Sequence, residues 1–131
     1  LNIGALKSQA WDIVKADIKA VVNATRNNTV VKVILETCYL DEKELRKVCQ
    51  IVKEAGADYV KTSTGFGTAG AKAKDIEIMK DVVGEELGIK ASGGIRSMED
   101  ALEMIEAGAT RLGASSGVQI VEGANVVDSD Y

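Results

Sequence analysis

The 131-residue sequence contains no histidine and no proline. Without histidine, the Ser-His-Asp and Cys-His nucleophilic devices cannot be assembled within the chain. Histidine-ligated metal sites are excluded for the same reason. Acid–base chemistry is left to Lys, Asp, Glu, Tyr, Cys or water. Cysteine is scarce. Cys38 and Cys49 are the two present, too few for a zinc cluster and too far apart for a CxxC redox pair. Cys49 falls on the apolar face of an expected helix and should be a buried small hydrophobe. The lack of a disulfide framework fits a reducing compartment, hence a cytoplasmic location. No apolar run approaches the ~20 residues that span a bilayer, and no charged-then-apolar leader precedes the fold. A soluble protein with no membrane partner is expected. Basic excess is missing too. Sixteen Lys+Arg stand against 20 Asp+Glu, a net charge of −4, which gives no general footing for nucleic acid.

What is present is an ordinary globular balance, 46% hydrophobic and 27% charged, at a length that suits one domain. Strand-like stretches alternate with amphipathic segments. The strands are expected over Leu1–Leu6, Val30–Glu36, Asp58–Thr62, Ile89–Ser92 and Thr110–Ala114. Leu1 thus falls inside an apparent strand, and the sequence has no initiator methionine. Trp11, Val14, Ile18, Val21 and Val22 recur at helical spacing after Ser8, a potential N-cap. Leu45, Val48, Cys49 and Val52 do so after Asp41. Ile76, Met79 and Val83 mark a third helix. Ala101, Leu102 and Ile105 mark a fourth, opened by Ser97 and Asp100 in a capping-box pattern. Gly56, Gly88 and Gly108 are placed to stop helices. Glu54-Ala55-Gly56-Ala57 is echoed by Glu106-Ala107-Gly108-Ala109, a repeated helix-to-strand joint. Such alternation predicts a parallel sheet with right-handed crossovers. Residues 1–122 form the expected domain, and 123–131 read as a flexible C-terminal tail.

Three stretches could carry chemistry. In Tyr59 through Gly67 a lysine, Lys61, ends an apolar strand and precedes a turn of small hydroxyl and glycine residues. Functional groups cluster at the carboxyl ends of parallel strands, and a desolvated lysine there can attack a carbonyl to form an imine. A lysine snorkelling to solvent is the bland alternative. In Ile89 through Ser97 a second lysine, Lys90, lies near the end of the next strand. Adjacent strands are ~4.8 Å apart, so the two lysines could share a pocket, each lowering the other's pKa. Gly93-Gly94 then either exposes N–H groups to a phosphate or forms a simple tight turn. In Arg111 through Gly117, Ser115 and Ser116 precede a possible short helix, in the place where (β/α)8 barrels commonly hold phosphate. A Ser-rich N-cap is the alternative there.

The sequence resembles the deoxyribose-phosphate aldolase family. Leu1 through Ser8, Lys32 through Leu40, Val60 through Gly67, Lys90 through Arg96 and Gly113 through Ser116 carry the resemblance, which runs from Leu1 to about Gly123. The pairing of VKTSTGF with KASGGIR is highly specific. The resemblance implies a class I aldolase that reversibly cleaves 2-deoxyribose 5-phosphate to acetaldehyde and glyceraldehyde 3-phosphate, with no metal and no cofactor. Lys61 matches the imine-forming lysine and Lys90 the second lysine that lowers its pKa. Gly65, Gly93, Gly94, Ser115 and Ser116 match phosphate-binding turns. The family fold is a complete (β/α)8 barrel, ~250 residues in the general case. The chain matches its second half, so the fold class is α/β: parallel (β/α) units of a TIM barrel, about half a barrel, covering strands four to eight. The family's catalytic aspartate falls upstream of Leu1, which makes turnover by these residues alone doubtful. Some members use a tyrosine at a flexible C-terminus, and Tyr131 lies at such an end, where alignment carries little weight.

The expected partners are a phosphosugar or aldehyde substrate and further copies of the chain, as a homodimer or higher homo-oligomer. A five-stranded partial barrel would leave two sheet edges unpaired and an inner face, expected to carry Val33, Leu35 and Val60, uncovered. Two other readings are a non-catalytic phosphate- or phosphosugar-binding half barrel and a self-associating structural fragment.

Overall fold

A computed structural model describes residues 1–26 and 28–123. Tyr131, and the expected tail beyond Gly123, lie outside these residues. In chain order the elements are α1 (Ile3–Lys7), α2 (Trp11–Ala24), β1 (Lys32–Ile34), a 3-10 turn (Thr37–Tyr39), α3 (Glu42–Ala55), β2 (Tyr59–Lys61), α4 (Ala73–Val83), β3 (Gly88–Ser92), α5 (Met98–Glu106), β4 (Arg111–Gly113) and α6 (Gly117–Val121). The four strands form one parallel sheet in the order β1-β2-β3-β4. This is the alternating β/α pattern expected, with β1 and β4 at the edges.

Helix ends follow local chemistry. Asp41 opens α3 with a capping box: its carboxylate accepts the Glu44 N–H at 2.8 Å, and Glu44 accepts the Asp41 N–H at 2.9 Å. Ser97 and Asp100 repeat the device at α5. Gly56 ends α3 in the left-handed region. The apolar stripe of α3 is buried throughout, Cys49 included. Burial pushes the Cys49 thiol up to about 12, so it stays protonated. Each such fully buried aliphatic side chain contributes about 1.5–3 kcal/mol. Val33, Val60, Ile89 and Ala91 point from the strands into the same core.

Several expectations are corrected. Leu1–Leu6 is not a strand. The Asn2 side chain accepts the Ala5 N–H at 3.0 Å and caps the short helix α1. One strand-like contact survives there, from the Leu1 amino group to the Ile34 carbonyl at 3.1 Å. Ser8 ends α1 rather than opening α2, which begins after Ala10 without a side-chain cap. Gly84, not Gly88, terminates α4, and Gly88 is the first residue of β3. In α5 the buried face is Ala101 and Met104, while Leu102 and Ile105 are exposed. On α2, Val21 is likewise exposed although Val14 and Ile18 are buried. Val33, Leu35 and Val60 do not line an open inner face. They are buried beneath the helices, because side chains alternate across a strand. The open face carries the intervening residues Lys32, Ile34, Tyr59, Lys61, Lys90 and Arg111.

Candidate active site

The parallel register sets Ile34, Lys61, Lys90 and Arg111 in one row across β1 to β4. Lys61 is the last residue of β2, and Lys90 stands beside it on β3. The Arg111 guanidinium stacks over the Tyr59 ring, 4.4 Å from its centroid, a favourable cation–π contact. Burial holds the Lys90 ammonium below the ordinary lysine range, and the nearby charges of Lys61, Lys32 and Arg111 push it in the same direction. The sheet thus concentrates cations on one face of an acidic protein.

Above this row the strand ends enclose a basin of ≈ 420 Å³. Lys61, Gly65, Lys90, Gly93, Gly94 and Ser115 all line it. Six of the seven residues singled out in the sequence therefore meet in one place. Ser116 is not among the lining residues. It occupies the N-cap of α6, and its side chain makes no capping bond. Thr64, Ser92, Arg96 and Gly113 also line the basin and were not among the expected site residues. Each adjoins a recognised lysine, glycine or serine segment, and that adjacency was the available signal.

The basin has a built floor. Thr62 Oγ1 donates to the Ser92 carbonyl and accepts the Ser92 N–H, both at 3.1 Å. Ser92 Oγ donates to the Ser63 carbonyl at 2.6 Å. These buried bonds tie the residues after β2 to the end of β3, one position past Lys61 and two past Lys90. Gly93 and Gly94 follow with φ of 84° and 79°, a left-handed pair that L side chains rarely adopt. The Ala71 N–H reaches the carbonyls of Ser92 and Gly93, at 3.1 and 2.9 Å, and braces this turn from behind. At Gly113 a Cβ would lie 3.0 Å from Lys90 Cε and 2.9 Å from Ser92 Cβ. The absent side chain gives Lys90 its lane into the basin.

At the rim, Glu36 has a left-handed backbone, φ 55° and ψ 62°. Its carboxylate accepts the Thr64 N–H at 3.1 Å and the Thr64 hydroxyl at 2.5 Å. Thr64 Oγ1 in turn accepts the Phe66 N–H at 3.1 Å. Phe66 is 96% exposed at the tip of this turn. Two further grooves flank the β1 edge, of ≈ 290 and ≈ 250 Å³. Among the described residues, no group of three or more Cys, Asp or Glu side chains is placed to hold a metal ion, and no helix is long and apolar enough to cross a membrane.

Comparison with known proteins identifies the family and the fold. The family model described as "DeoC/LacD family aldolase" matches residues 1–123. The chain is 62% identical over 125 residues to the deoxyribose-phosphate aldolase of Thermococcus kodakarensis, covering 95% of this chain and 56% of that protein. Among solved structures it is similar to an aldolase designated QR15, with 45% identity and a TM-score of 0.86, over 92% of this chain and 54% of that one. It is also similar to the deoxyribose phosphate aldolase of Aeropyrum pernix, described as tetrameric, with 38% identity and a TM-score of 0.80, over 86% of this chain and 49% of that one. The chain spans little more than half the length of the curated relatives it matches.

Proposed function

The chain belongs to the DeoC/LacD family of aldolases, and from that premise we propose that its basin is the imine-forming and phosphate-binding half of a deoxyribose-phosphate aldolase site. The observation that carries this reading is the register of Lys61 against Lys90 in a basin that the Gly93–Gly94 turn also lines. In the proposed reaction the neutral Lys61 amine attacks the aldehyde carbon of open-chain 2-deoxyribose 5-phosphate and water leaves. The protonated imine accepts the electron pair as the bond between the second and third sugar carbons breaks. Glyceraldehyde 3-phosphate departs as the proton on the third-carbon hydroxyl is removed. The remaining enamine is protonated and hydrolysed to acetaldehyde, which restores the lysine.

Lys90, level with Lys61 on the next strand, is the second lysine of the proposed site. Gly65, Gly93, Gly94 and Ser115, which line the basin, receive the phosphate through backbone N–H and hydroxyl groups. Imine formation needs the lysine and the aldehyde, whereas cleavage also needs a general acid–base group, which typically contributes ~10²–10⁴-fold. A cytoplasmic setting and assembly with further copies of the chain complete the proposal.

The test is acetaldehyde with borohydride, followed by peptide mapping. Modification at Lys61 is expected. Modification elsewhere, or none in folded protein, overturns the imine assignment. Phosphate binding without trapping would reduce the chain to a phosphosugar-binding module.

A further inference from the structure

The geometry points to Glu36 as a positioning residue for the phosphate-receiving turn: its carboxylate clamps Thr64 and thereby holds Gly65, between Thr64 and Phe66, at the basin beside Lys61. This inference rests on the phosphosugar reading of the basin. Glu36 follows β1, on the neighbouring strand, and does not line the basin itself. It reaches the turn from outside, through the Thr64 N–H and hydroxyl. The hydroxyl then accepts the Phe66 N–H, so one carboxylate orders three successive residues.

The backbone of Glu36 supports this role. Neighbouring bonds pin both sides of it: the Leu35 N–H donates to the Lys61 carbonyl at 2.8 Å and the Thr37 N–H to the Thr62 carbonyl at 3.0 Å. A non-glycine residue in the left-handed region is costly, and such outliers cluster where a side chain must be aimed. Here the unusual φ falls on the residue whose carboxylate spans the two strand ends. A carboxylate accepting both an N–H and an O–H forms charge-assisted bonds, roughly twice as strong as neutral ones. A flexible glycine turn holding phosphate would otherwise lose its order in the unbound state, and a preorganised loop binds more tightly than one ordered on binding.

Inorganic phosphate is the probe, titrated into the full chain by calorimetry and by amide shifts of Gly65, Gly93 and Gly94. Glu36→Ala should weaken phosphate binding about tenfold, the scale of losing one charge-assisted hydrogen bond. Glu36→Gln, which keeps a carbonyl acceptor, should restore part of that loss. Thr64→Val, which deletes the hydroxyl and leaves Glu36 in place, should weaken binding as well. Combined with Glu36→Gln it should add less than its own effect. Wild-type affinity in folded Glu36→Ala, or in Thr64→Val should Glu36→Ala not fold, overturns the positioning role and leaves the basin reading intact. No phosphate binding by the parent chain overturns the basin reading and this inference with it.

Discussion

At the scale of single residues, two hydroxyls one position apart should answer oppositely to removal. Thr62 Oγ1 is buried and bonded twice to the Ser92 backbone. Thr62→Val strands the Ser92 N–H and should destabilise by about 1–3 kcal/mol. Ser63 Oγ is equally buried but has no hydrogen-bond partner. Ser63→Ala removes a desolvated polar atom and should leave stability unchanged or slightly raised. Urea midpoints of the two variants, read side by side, check the pair. A loss in Ser63→Ala matching that in Thr62→Val would contradict the hydrogen-bond assignments. Gly113 gives a third test. The Cβ of Gly113→Ala would press on Lys90 Cε and Ser92 Cβ, so Lys90 must shift and borohydride trapping should slow several-fold. Equal trapping rates would show that Lys90 has room to spare.

Between strands, like charges set the expected pH behaviour. Lys90 in the folded sheet binds its proton less tightly than in the unfolded chain, through burial and then through Lys61, Lys32 and Arg111. The penalty is complete below the folded-state pKa and fades as pH rises toward the ordinary value of 10.5. Stability from this position therefore increases with pH across that window. Lys90→Met should be more stable than the parent at pH 7, with the advantage shrinking as pH approaches 10.5. Urea midpoints of parent and variant from pH 7 to 10.5 measure this, and an advantage that does not shrink would remove the proposed penalty.

The helices and the sheet differ in how far the sequence announces them. The stripes and capping boxes of α3 and α5 are local patterns, and their starts were readable. Leu1–Leu6 was not, since a short apolar run fits either element until Asn2 is seen to cap it. Leu102 and Ile105 misled because apolar type alone does not say which side of α5 meets the sheet. The lysines were readable as strand-end residues. The convergence of Lys32 and Arg111 on Lys90 was not, because register between strands is a tertiary fact. For the same reason the role of Glu36, 28 residues before Thr64, has no local signature.

For the whole molecule, the decisive features are two open edges and a cationic face. Parallel sheets are normally covered on both faces, yet here one face presents Lys32, Lys61, Lys90 and Arg111. The β1 and β4 edges are both outermost. Exposed apolar side chains occur on the helices: Ile13 and Val21 on α2, with Val21 sharing a groove with β1, and Leu102, Ile105, Val118 and Val121 on α5 and α6. Two copies of the four-stranded sheet, joined β1 edge to β4 edge, supply the eight strands of a closed barrel. A closed twofold pair also avoids open-ended growth. The strand arithmetic and the exposed apolar side chains favour pairing, whereas the cations of both copies would face one another inside. Charge repulsion at close range is weakened by bound anions and by salt. The 131-residue chain should therefore self-associate at micromolar concentration, more strongly in phosphate buffer than at low ionic strength. Sedimentation velocity across a phosphate series measures this. Leu102→Glu, at the β4 side, should shift the population toward monomer without loss of helical signal. A compact monomer at every phosphate concentration would mean that the sheet tolerates its open, charged face in water.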